Sequence, residues 1–116
     1  MNISPEDGFL ATVMMRVELI QLAELIGEAT RTLDHLAAVG GPEAMVEQVG
    51  GLLTNATVVW AMRRVHSGDL TAWQGADMDL VIADARRYAS EHPAELAEYD
   101  QRRAAFFEQL NKGGLL

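Results

Sequence analysis

The sequence predicts an all-α protein: an antiparallel bundle of about four helices with a long first helix, completed by dimerisation. Three observations carry this expectation. Ser4-Pro5 opens a span with no further proline before Pro42, and Gly40-Gly41 closes it. Within that span Met15, Leu19, Leu22, Ile26, Ala29, Leu33 and Leu36 recur at alternating steps of four and three, the spacing of a coiled-coil seam. Nothing in the chain alternates with period two for long enough to make a strand.

The first helix is expected over residues 5–39. Ser4 can cap it, Pro5 suits its first position, and Asp7 stands three residues after the cap. Gly40 can take the left-handed conformation that ends a helix. Leu10, Val13, Val17 and Ile20 form a second apolar stripe on a different side. A helix apolar on two sides must be covered on two sides. Leu10, Val13, Met15, Val17, Leu19, Leu22, Ile26 and Leu33 are therefore the candidate dimer interface, and a homodimer is expected. A bend near Gly27 that folds the helix back inside one chain is the alternative.

Pro42 can open a second helix, with Met45, Val49, Leu52, Ala56 and Val59 on one face and an end at His66-Ser67-Gly68. Gly50-Gly51 interrupts its middle at a cost of about 2 kcal/mol relative to alanines. Either the helix breaks there or the missing side chains let another backbone approach closely; the periodicity resumes in phase beyond them, which favours a continuous or slightly kinked helix. Asp69 is expected to cap a short turn reaching Trp73. Asp77 is expected to cap a third helix through Met78, Val81, Ile82, Ala85 and Tyr88. The fourth should run from Pro93 to about Asn111, burying Leu96, Tyr99, Phe106 and Leu110. Trp60 and Trp73 read as core anchors, and Met14, Met15, Met45, Met62 and Met78 as core filler rather than an adaptable groove.

Length and composition bound the rest. At 116 residues, without repeats or a long linker, residues 1–116 form a single helical domain. There is no cysteine, which removes disulfides and thiolate metal sites. The apolar stretch over residues 9–26 has membrane length but is interrupted by Arg16, Glu18, Gln21 and Glu24. Glu6-Asp7 is the wrong sign for a signal peptide, so a cytoplasmic location is the default. Net charge is −8, with two arginines against eight acids over residues 1–62. Such a surface repels nucleic acid and anionic membrane.

Motifs that carry chemistry are missing. None of His35, His66 and His92 has a glutamate three residues before it, and no two histidines are four apart. Glu24, Glu28 and His35 share a side of the first helix, an arrangement that solvated charges explain more simply. No nucleophile elbow surrounds Ser4, Ser67 or Ser90, and neither glycine pair has a phosphate-loop lysine. The chain is therefore expected to be no enzyme, with no catalytic residue, cofactor or metal. Six of its nine bases come as the doublets Arg63-Arg64, Arg86-Arg87 and Arg102-Arg103. Converging, they would make an anion site; pairing each to its own helix is the simpler account. The leading function is a small acidic protein–protein interaction module: an adaptor, inhibitor or regulator acting on an unidentified protein partner. The alternative is a small-ligand binder holding an anionic molecule between helices with the Arg doublets.

Overall fold

A seam of Leu22, Ile26 and Ala29 needs something to bury against, and here the chain itself supplies it. The structure, a computed structural model, describes residues 13–113. Five helices lie wholly within them, with no strand among the described residues: α1 Leu19–Val39, α2 Glu43–His66, α3 Ala72–Gly75, α4 Met78–Glu91 and α5 Pro93–Lys112. α1 packs most extensively on α2 and α4. The core between them is Leu22, Ala23, Ile26, Leu53, Ala56, Val59, Trp60, Val81 and Ala85, with Met14 added from outside α1. Trp60, Leu22 and Ile26 are wholly enclosed.

The long first helix of the sequence reading does not survive intact. The chain turns over residues 15–18, and Glu18 is extended (φ −61°, ψ 145°) ahead of α1. The break falls there rather than near Gly27, which lies buried inside α1. Its cause is tertiary. Met14 turns into the core, and the Arg63 guanidinium of α2 donates to the Met14 and Val17 carbonyls at 3.1 and 2.6 Å. A helix interrupted there releases carbonyls that need donors, and Arg63 satisfies two of them. The part of the expected helix before residue 13, including Leu10 and the Ser4–Asp7 cap, lies outside the described residues.

Local signals place the other boundaries well. α1 ends on Gly40 in the left-handed region (φ 64°), whose N–H bonds the Leu36 carbonyl. α2 runs unbroken through Gly50 and Gly51. Thr71, rather than Asp69, caps the single turn of α3, in a reciprocal capping box with Gln74. Asp77 caps α4 by accepting from the Asp79 and Leu80 N–H groups. Pro93 opens α5.

Three expectations about burial are corrected. α5 contains no buried residue: Leu96, Tyr99 and Leu110 are half-covered, and Phe106 and Phe107 are exposed. Trp73 is 74% exposed and anchors nothing, whereas Trp60 is an anchor as read. Of the methionines read as filler, only Met14 is buried; Met15, Met45, Met62 and Met78 are exposed. These corrections share one cause. The radius of gyration is 15.5 Å, against about 13 Å for a compact domain of this size. The elements enclose one small core and leave apolar surface outside it.

Candidate functional site

Asp84 follows Val81 by three residues and precedes Ala85, so α4 carries it into the core. A carboxylate there needs donors, and four N–H groups supply them. Trp60 Nε1 donates to Oδ2 at 2.9 Å, Arg64 donates from Nε and Nη2 at 2.9 and 3.4 Å, and Arg87 Nη2 donates at 2.6 Å. Burial alone would push the Asp84 carboxyl up, but these donors together hold it below the ordinary carboxylate range. The Arg64 guanidinium also lies 5.7 Å from the Trp60 ring and 5.4 Å from the Tyr88 ring. No buried side-chain nitrogen or oxygen among the described residues lacks a partner. The cluster is a polar lock between α2 and α4 in which every buried polar side-chain atom is paired.

The Arg doublets split rather than converge. Arg63 serves the Met14 and Val17 carbonyls, while Arg64 serves Asp84 and Asp69. Arg86 lies on the exposed side of α4, and Arg87 bonds Asp84. Arg102 makes a two-pronged contact with Glu18 at 2.8 and 2.9 Å, which lowers the Glu18 pKa through that hydrogen bond. Arg103 reaches Glu28 at 3.1 Å and lies over Tyr99. Only Arg64 and Arg87 come together, and they do so on a carboxylate.

Among the residues read as a dimer interface, Leu22 and Ile26 have no exposed surface, having spent it inside the chain. They have nothing left to offer a partner. Leu19, Val17 and Leu33 are half-buried against the same core. Val13 and Met15 remain exposed.

Met15 is nonetheless part of a surface that sequence reading did not assemble. An apolar groove of about 930 Å³ runs along the C-terminal half of α2. Ala61, Met62, Val65 and His66 of α2 line it, with Met15 and Arg63 and with Ala72, Gly75 and Ala76 from the α3 segment. Close packing of α3 builds one wall: a Cβ added at Gly75 would come within 2.8 Å of Val65 Cγ2. Met62 and Val58 in or beside the groove are more than half exposed.

Comparison of the chain with family models, curated proteins and solved structures returned no match. The site must be read from its chemistry. Among the described residues no three His, Asp or Glu side chains gather as a metal needs, and no helix is long and apolar enough to cross a membrane. The groove offers Met and Val surface with Arg63 and His66 at its edge, which suits an apolar segment of another polypeptide. One signal for it does lie in the sequence: residues 48–62 carry no charged side chain on any face.

Proposed function

We propose that the chain is a non-enzymatic protein-interaction module whose working surface is the outward face of α2 with its groove. One observation carries this reading. α2 is uncharged around its whole circumference over residues 48–62, yet only one side of it is buried. Gln48, Thr54 and Asn55 share the outward face with Val58 and Met62, which are more than half exposed, and exposed large apolar side chains on an uncharged surface mark contact surfaces. Exposed methionines suit the role, because their flexible thioethers adapt to a partner.

The anionic-ligand reading draws less support, because the arginines it needs point to separate places and mostly face acids of the chain itself. A photo-crosslinking residue in place of Val58 tests the proposal in cells. A discrete protein adduct should form at position 58 and not at position 86 on the exposed side of α4, and Met62→Glu should abolish it. No adduct from position 58 would reject the reading.

A further inference from the structure

His92 (φ −124°, ψ 55°) is the single residue between α4 and α5, and Pro93 opens α5 without an N–H. The two helices are joined at one point. On the α4 side that joint is firmly set. The His92 ring stacks on Tyr88 at 3.9 Å, with Nδ1 2.7 Å from the Tyr88 carbonyl. Tyr88 in turn packs edge-on to Trp60 and beside the Arg64 guanidinium. The root of α5 is thereby tied into the polar lock.

Beyond the root the attachment changes character. α5 buries none of its 20 residues, and only Leu96, Tyr99 and Leu110 are half-covered. Two arginines fasten it to the body: Arg102 on Glu18 at 2.8 and 2.9 Å, and Arg103 on Glu28 at 3.1 Å. All four side chains are about half exposed. Tyr99 and Arg103 close one side of a cavity of about 180 Å³, which Met14, Val17, Leu22 and Leu25 also line.

These attachments differ in strength from the core they cover. Exposed ion pairs hold weakly and are screened by salt. Trp60, Leu22 and Ile26, wholly enclosed, are held by apolar burial, which salt does not screen. Segments with few buried contacts open separately from the core, in cooperative units. α5 is such a unit by its own signals. Pro93 and Glu95 suit its first turn, and Lys112 pairs with Glu108 in its last.

We propose that α5 is a hinged lid, rooted at His92 and latched by Arg102–Glu18 and Arg103–Glu28, whose opening bares the cavity beside Leu25 while the core of α1, α2 and α4 stays folded. The lid is independent of the role proposed for α2.

Hydrogen exchange of the full natural chain reads the opening, because a detached helix of this length frays and its amides exchange. Amides of Leu96–Phe106 should exchange at least about tenfold faster than those of Leu53–Trp60. Raising salt from about 0.1 M to about 1 M shortens the Debye length from about 10 to about 3 Å. It should speed exchange in α5 about threefold and leave the core amides of α2 unchanged. Glu18→Gln should reproduce that effect at low salt.

The chain has no cysteine, so Leu25→Cys places a single thiol at the cavity. Its reaction with a maleimide should quicken by the same factor when Glu18→Gln is added, with the α2 amides still protected. Equal exchange in α5 and the α2 core overturns the lid, since α5 would then open only with the whole chain. Fast α5 exchange that ignores both salt and Glu18→Gln overturns the latch. Should Leu25→Cys fail to fold, exchange in the natural chain and in Glu18→Gln decides the matter alone.

Discussion

Trp60 Nε1 donates a hydrogen bond of 2.9 Å to Asp84 Oδ2, joining the middle of α2 to α4 across 24 residues of sequence. The same oxygen accepts from Arg64, and the other carboxylate oxygen accepts from Arg64 and Arg87. A fully enclosed indole and a carboxylate with 3% side-chain exposure thus satisfy each other inside an otherwise apolar core. Tyr88 packs edge-on to Trp60, and the His92 ring stacks on Tyr88 at 3.9 Å, so the lock extends to the start of α5.

Asp84→Asn keeps the shape and removes the charge, leaving Arg64, with 12% side-chain exposure, only the half-exposed Asp69 as counter-ion. Stability should fall by about 3–5 kcal/mol, the usual penalty for breaking a buried pair from one side. Urea unfolding of the two proteins at pH 7 measures it. A loss within experimental error would mean that Trp60 and packing hold α2 to α4 unaided.

Acid should find the same lock. The Asp84 carboxyl lies below its ordinary value when folded, against about 3.9 unfolded, so the folded chain binds the proton less readily. Its contribution is then fully present above about pH 4 and is lost as pH falls through the depressed folded value. Melting temperature should drop on acidification below about pH 4, and Asp84→Asn should flatten that part of the profile.

Leu22→Glu should leave the chain unfolded or molten, not monomeric and intact. Leu22 has no exposed surface within a single chain, and a charge placed there has no partner. Loss of the cooperative melt is the expected reading. A folded, merely dissociated protein would contradict the placement of Leu22 in the core.

Gly50→Ala and Gly51→Ala test whether the absence of a side chain on α2 serves packing. The added methyl groups meet nothing within 4 Å inside the chain, so helix propensity should stabilise the isolated chain by about 0.5–1 kcal/mol per site. Melting temperature should rise. A fall would mean that a neighbouring backbone closes on Gly50 or Gly51.

Sulfate and phosphate titrations should be featureless. Arg64, Arg87, Arg102 and Arg103 already face carboxylates of the chain. A saturable rise in melting temperature that vanishes in Arg64→Gln would restore the anion-binding reading.

Some of the fold is local physics and could be read from residues. Helix content follows from 3.6-residue periodicity without alternation, and helix ends follow from residues whose preferences need no distant partner. Gly40 ends α1 because it alone there tolerates φ 64°. Asp77 starts α4 because its side chain reaches the N–H groups two and three residues on. The four-three spacing places Leu22, Ile26 and Ala29 on one face of α1, and the structure buries that face. What buried them was not legible, since a four-three spacing looks the same to a sister helix and to a helix of the same chain.

The tertiary structure decided everything that depends on which surface runs out first. The chain turns at residues 15–18 because Met14 enters the core and Arg63 takes up the released carbonyls, and no proline or glycine marks the place. Asp84 becomes the centre of the polar lock because α2 brings Trp60 and Arg64 to it from 24 and 20 residues away. Trp73, Met62 and Phe106 stay outside because the enclosed volume is already filled by Trp60, Leu22, Ile26 and Val81. Hydrophobicity tells a residue to leave water; only the packed structure tells how much interior there is to enter. The uncharged outer face of α2 is the remainder of that competition.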